Sequence, residues 1–216
     1  MTKTLEGKIL EYELLLGGAI RHDIANQLVV VGGYATMLED QCEGAKEKEF
    51  LKKIIASTQK ISAQIDFWRE YETKNLTWQS LEEIHHSYQR MISNDIKINI
   101  KNAANVKIYS SALTCKVFEN LIDNSVRHGK ATEANINYYI KEDNLIIVYE
   151  DNGTGILSEE KSKIFQKGYG KNTGMGMFLA KQILAITDAD ISEVGEFGKG
   201  VRFEISIPKN AYKICI

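Results

Sequence analysis

The segment "RHDIANQL" at 21–28 sets a histidine, an aspartate and an asparagine within five positions, in a stretch without proline. A neutral imidazole, with an ordinary pKa of about 6.5, is a nucleophile at cellular pH when one nitrogen keeps its lone pair and the proton on the other is held. Asp23 stands next to His22 and can hold that proton, fixing the tautomer and stabilising a ring that turns positive on attack. Asn26 lies one helical turn along on the same side. Its amide both donates and accepts, which suits orienting a water rather than deprotonating it. Taken alone, such a triplet is equally a solvated helix face, so its meaning depends on the rest of the chain.

A second group of residues lies further along. Helical spacing within "FENLIDNSVRHG" at 118–129 puts Asn120, Asn124 and Arg127 or His128 one turn apart on one face. Two amide oxygens beside a cation suit a hydrated Mg²⁺ and phosphate oxygens, because this hard ion takes oxygen ligands and keeps several waters. In "DNGTGI" at 151–156, Asp151 at a strand end can accept a hydrogen bond from an exocyclic amine while glycine-rich backbone passes close to a flat ring. "KIFQKGYG" at 163–170 follows in a loop, and "TGMGMFLAKQI" at 173–183 opens a helix. The unpaired N–H groups and positive dipole end of that helix, at Gly174, can meet phosphate. Neither common glycine motif explains "KGYGKNTGMG": a P-loop needs glycine and Ser or Thr where this chain has Phe165 and Asn172. The dinucleotide fingerprint lacks its third glycine and its strand-to-helix unit. Singly, each segment reads as a turn, a solvated helix or backbone relief; four together in this order point to a nucleotide site.

These two groups need two different scaffolds. Apolar residues recur at Leu16, Ile20, Ile24, Leu28, Val31, Ala35 and Leu38, spaced by three or four, which predicts one helix over about 5–40. After the polar turn "QCEGAKE" the period resumes at Leu51, Ile54, Thr58, Ile61, Ile65 and Trp68, the 3-4 alternation of a bundle seam. Two helices enclose little core, so a copy of the hairpin is expected to complete a four-helix bundle. The stripe also places His22 away from the core. "YETKNLTW" at 71–78 breaks the period. Beyond it the pattern predicts a short helix at 80–91, strands in "IKINIK" and "VKIYS", a helix at 111–127, a hairpin of "EANINYYIK" and "NLIIVYED", a helix to about 186 and two strands ending at Pro208. This is an α+β sandwich, a sheet with helices on one face.

Composition agrees and excludes other classes. The 216 residues, 44% apolar and 26% charged, make a globular protein, and a net charge of −2 leaves no basic footprint for nucleic acid. "LLLGGAI" at 14–20 is too short for a membrane span, and with no leader the expected location is cytoplasmic. Cys42, Cys115 and Cys215 are widely separated without C-x-x-C pairing, and no ligand spacing joins them to His85 and His86 in a zinc site.

The four segments resemble the N box, first glycine box, F box and second glycine box of the GHKL nucleotide-binding fold over 76–208. "RHDIANQL" resembles the H box of sensor histidine kinases. The resemblance implies a helical hairpin forming a dimeric four-helix bundle at 1–74, the dimerisation and histidine-phosphotransfer domain, followed at 75–216 by a catalytic ATP-binding domain, an α+β sandwich of the GHKL (Bergerat) type. It implies a two-component histidine kinase using ATP and Mg²⁺, with a homodimer and a response-regulator receiver domain as partners, and with any membrane or cytosolic sensor lying upstream. His22 would be the phosphoacceptor, Asp23 its acid/base partner, and Asn26 the residue for dephosphorylating the regulator. Asn124 with Asn120 would hold Mg²⁺, Arg127 and His128 would face phosphates, and Asp151 would read the adenine amine. Gly153 and Gly155, then Gly174 and Gly176, would bracket a mobile ATP lid with Phe165 at its core, Lys171 within it and Met177 at its far edge. Met175 and Met177 stand where leucines are usual, and Asp23 where Glu is commoner, both conservative departures. Two rivals without histidine phosphorylation are a GHKL ATPase switch and an ATP-binding dimeric scaffold. Against the first, Asn120 stands where hydrolysing members carry a glutamate, and an amide cannot act as that base.

Overall fold

The computed structural model describes residues 5–73, 76–89, 96–101, 105–169 and 175–215. The chain separates into two compact units, Met1–Thr73 and Lys74–Ile216. No helix among the described residues is long and apolar enough to cross a membrane, and no disulfide joins Cys42, Cys115 and Cys215.

The first unit is a helical hairpin, α1 (Leu5–Gln41) and α2 (Ala45–Thr73). The apolar stripe divides into two faces. Ala35, Thr58 and Ile65 are buried where the helices meet, and a Cβ at Gly32 would lie 3.2 Å from Thr58 Oγ1, so the helices cross closely there. Ile20, Ile24, Val31 and Leu38 on α1, with Ile54 and Ile61 on α2, remain exposed, Ile20 by 51% and Ile61 by 42%. Two helices share only one seam, so a stripe wider than that seam cannot be buried within one hairpin. The side chains of Leu16 and Trp68 lie outside the described residues.

The second unit runs β1 (Leu76–Ser80), α3 (Leu81–Gln89), β2 (Lys97–Ile100), β3 (Val106–Ser111), α4 (Thr114–Asn124), β4 (Glu133–Lys141), β5 (Asn144–Asp151), α5 (Gly176–Ala185), β6 (Asp190–Glu193), β7 (Arg202–Ile207) and β8 (Tyr212–Ile214). The main sheet has order β2-β4-β5-β7-β6, with β2 parallel to β4 and the other pairs antiparallel. Ala134, Ile136 and Tyr138 of β4 and Phe203, Ile205 and Ile207 of β7 are buried at alternate positions, the period-two signature of a sheet covered on that face. Helices α3, α4 and α5 supply the other half of the core through Leu81, Ile84, Phe118, Leu121, Ala180 and Ile183. The β4–β5 turn is made by Glu142 and Asp143, both with positive φ, the two-residue geometry that matches strand twist.

The structure departs from the sequence expectation in two ways. A separate small sheet, β1-β3-β8, adds to the expected β3 two short strands that carry no periodic signal, with Trp78 of β1 opposite Tyr109 of β3. The helix expected to run to 127 stops at Asn124, and residues Ser125–Gly129 form a π-helical turn closed by Lys130 in the left-handed region. Inside the core, His85 of α3 is bonded at both ring nitrogens, to the hydroxyls of Tyr88 and Tyr138. Burial, with His86 adding to it, pushes its pKa down to about 4, so the ring is neutral.

Candidate active site

His22 stands on α1 with its side chain 67% exposed, as expected of a residue off the helix seam. Its Nδ1 lies 3.3 Å from Asp23 Oδ1 and 3.3 Å from the Asn26 side-chain amide. That nitrogen can serve only one of them at a time: protonated it donates to the carboxylate, unprotonated it accepts from the amide. In the Asp23-bound tautomer the lone pair sits on Nε2, for which no contact is found among the described residues. Asp23 and Asn26 thus meet the same atom of His22.

In the second unit, β5 ends at Asp151, which is buried, with its Oδ1 accepting from the backbone N–H of Gly153 at 2.9 Å and of Val201 at 3.0 Å. Its Oδ2 is buried and has no partner among the described residues. A buried acceptor oxygen left open is costly unless something else donates to it. Backbone crowds round this carboxylate. At Gly200, with φ of +95°, a Cβ would fall 1.9 Å from the Asp151 carbonyl oxygen, and at Gly153 it would fall 2.7 Å from that of Gly129. Gly155 is also left-handed, with φ of +74°. Asn152 faces the other way: its Oδ1 accepts from the N–H groups of Thr132 and Glu133, tying the strand end to the start of β4.

The helix α4 brings Asn120 against the start of α5, where its Nδ2 donates to the Gly176 carbonyl at 3.1 Å, leaving its Oδ1 available. Asn124, half-buried, closes α4 one turn on. The π-helical turn Ser125–Gly129 then carries Arg127 and His128 beyond the end of α4. Both are exposed, and Arg127 Nε pairs with Asp123 at 2.5 Å. Phe165, in a 3₁₀ turn, lies edge-on to Phe203 with ring centroids 6.3 Å apart and Lys181 Nζ 5.4 Å from its centroid. Met177 is buried in the first turn of α5. Lys171 and Gly174 lie outside the described residues.

Sequence reasoning missed Gly129, Gly200 and Val201, which shape the surroundings of Asp151. Gly200 and Val201 follow the loop before β7 and lend only backbone, so no side-chain type announces them; "GKG" at 198–200, ahead of an alternating strand, was the available signal.

Residues 110–211 match the family described as histidine kinase-, DNA gyrase B-, and HSP90-like ATPase. Sensor protein SrrB of Staphylococcus aureus is 36% identical over 104 residues, covering 44% of this chain and 18% of that protein, so the chain spans under a fifth of the curated relative's length. Among solved structures, full-length ShkA in complex with AMPPNP superposes with a TM-score of 0.69 at 16% identity, over 89% of this chain and 45% of that one. The Acinetobacter baumannii histidine kinase AdeS gives 0.55 at 16% identity, over 86% and 96% respectively. At these identities the superpositions establish fold. The family match at 110–211, the likeness to SrrB and the fold likeness to histidine kinase structures make this chain similar to the catalytic core of a sensor histidine kinase.

Proposed function

We propose that the chain is a two-component histidine kinase core that, as a homodimer, transfers the γ-phosphoryl of Mg-ATP to His22, passes it to an aspartate of a response-regulator receiver domain, and helps to dephosphorylate that partner through Asn26. The observation that carries this reading is the state of His22: exposed, with Nδ1 within reach of either Asp23 or Asn26 and Nε2 without a contact among the described residues, on the same chain as a match to an ATPase family. A histidine with a merely solvating role has no need of a carboxylate on one nitrogen and a vacant second one.

The nucleotide is read by the orphaned Oδ2 of Asp151, which supplies the acceptor that an adenine amine requires. No group of three His, Cys, Asp or Glu that could hold a metal exists among the described residues. The donors available for Mg²⁺ are the amide oxygens of Asn124 and Asn120, a set suited to an ion that keeps waters and shares phosphate oxygens. When bound, Mg²⁺ supplies neutralisation of charge on the transferring phosphoryl. His22 Nε2 attacks the γ-phosphorus in line; the N–P bond forms as the bond to the β–γ bridging oxygen breaks, and ADP leaves. The ring is then cationic with its remaining proton on Nδ1, where the Asp23 carboxylate stabilises it. Support for the homodimer comes from Ile20, Ile24, Val31, Leu38, Ile54 and Ile61, an apolar face that a second hairpin would cover.

Incubation with γ-labelled ATP and Mg²⁺ tests the proposal. Label should join the wild type, be lost in acid yet survive base as a phosphoramidate does, and be absent from His22→Gln. Equal labelling of both proteins overturns it. Because His22 is exposed, folding stability of the variant should stay within about 0.5 kcal/mol.

A further inference from the structure

Between α4 and β5 lies a polar contact that none of the roles assigned above uses. Tyr149 is fully buried two residues before Asp151, and its hydroxyl lies 2.8 Å from Ser125 Oγ, the first residue of the π-helical turn. Ser125, itself buried, donates its single hydroxyl proton to the Leu121 carbonyl at 3.0 Å. The direction of the contact follows: with that proton committed, Tyr149 must be the donor to Ser125. Burial holds the Tyr149 phenol far above the ordinary tyrosine range, so this donor persists at every relevant pH.

This relay sits where the helix changes character. Leu121 O accepts both the Ser125 hydroxyl and the Ser125 backbone N–H, and Ser125 O in turn accepts from the N–H groups of Lys130 and Ala131. Ser125 is thus the hinge between the α-helix that carries Asn120 and Asn124 and the π turn that carries Arg127 and His128. Tyr149 ties that hinge to the strand carrying Asp151. The change of helical pitch thus coincides with a tyrosine hydroxyl delivered from the sheet.

We propose that Tyr149 and Ser125 are positioning residues of the nucleotide pocket, holding the phosphate-facing turn at Arg127 and His128 in register with the adenine-reading Asp151. The proposal rests on the ATP-site reading above and deepens it, since both residues are buried behind the side chains assigned to the nucleotide. Its consequence is selective: losing the tie should weaken contacts to the triphosphate while leaving recognition of the base.

The full chain with Tyr149→Phe, with Ser125→Ala and with both changes separates positioning from structural support. Ser125→Ala alone strands the Tyr149 hydroxyl in the core and should give the lowest unfolding midpoint; the double variant removes both polar groups and should regain most of it. Calorimetric titration with Mg-ATP and with adenosine then reads the site. In the refolded double variant, Mg-ATP affinity should remain about five- to tenfold below wild type, the worth of one hydrogen bond, while adenosine affinity stays within about twofold. Wild-type Mg-ATP affinity in the double variant, or a parallel fall for both ligands, overturns the positioning role. Absence of binding by either ligand to the wild type would instead remove the ATP-site reading, and this proposal with it.

Discussion

Asp151→Asn removes a charge and turns one of two buried oxygens into a donor. The wild-type carboxylate divides its work: Oδ1 accepts from Gly153 N–H at 2.9 Å and Val201 N–H at 3.0 Å, and Oδ2 is buried without a partner among the described residues. Two backbone donors fix which way an asparagine must turn, since its NH₂ cannot face them. The amide oxygen therefore takes the place of Oδ1, and the NH₂ points where Oδ2 pointed. The fold keeps both backbone hydrogen bonds and loses an unpaired carboxylate oxygen, so stability without nucleotide should change by no more than about 1 kcal/mol.

Nucleotide binding meets the opposite balance. An adenine amine now confronts another donor, so the complex loses a hydrogen bond to a charged acceptor, worth about 1.5–3 kcal/mol, and strands a buried donor at about 1–3 kcal/mol more. The combined loss is about 3 kcal/mol or larger, a fall in ATP affinity of roughly 100-fold. GTP should be spared, because guanine presents a carbonyl oxygen at the corresponding edge and the new NH₂ can donate to it. Calorimetric titration of both nucleotides into wild type and variant, with unfolding midpoints measured alongside, tests both halves. An unchanged ATP affinity in a folded variant refutes the assignment of Oδ2 to adenine; an equal loss for ATP and GTP refutes the polarity argument.

Three further outcomes follow from other parts of the chain. Ile61→Asp puts a charge on the apolar face that α2 leaves exposed in a single hairpin, so it should yield monomers in sedimentation with the hairpin's own seam intact; a stable dimer contradicts that use of the face. Asn26→Ala should preserve labelling of His22 and slow loss of phosphoryl from the receiver aspartate by roughly 10- to 100-fold, the worth of one orienting hydrogen bond; identical decay rates leave Asn26 without that role. Finally, His85 stays neutral in the fold down to about pH 4, between Tyr88, Tyr138 and His86, whereas in the unfolded chain it binds a proton below about pH 6.5. Stability should therefore fall with pH through that window, by about 3 kcal/mol in all, then level off; denaturant unfolding measures it, and a slope unaltered in His85→Gln rules His85 out as its source.

What the sequence revealed and what it hid follow from the physics of each element. The period of three and four over α1 and α2 made both helices legible, yet could not say that Ala35, Thr58 and Ile65 close the hairpin while Ile20, Ile24 and Ile61 stay outside it. Apolar periodicity reports burial in some assembly, and a stripe wide enough for two seams does not name the helix at each. The glycines at 153 and 155 were legible because they sit beside a carboxylate in a strand-end turn. Gly200 was not, because its task is to let a loop from elsewhere in the chain pass over the Asp151 carbonyl, a contact between positions about fifty residues apart. Strand β1, "LTWQS", escaped notice because it does not alternate apolar with polar residues, and β8 because three residues are too few to show alternation.

The π turn at Ser125–Gly129 is the most instructive of these, because helical spacing was the very argument that grouped Asn120, Asn124 and Arg127 or His128. Spacing holds only while the helix stays α, and here it gives way at Ser125, whose hydroxyl meets that of a tyrosine from another strand. The α-helical rule thus applies to Asn120 and Asn124, while Arg127 and His128 stand on a turn of another pitch. The change of pitch falls where two elements distant in sequence meet at the end of a candidate site, which is where tertiary contacts most readily override a local pattern.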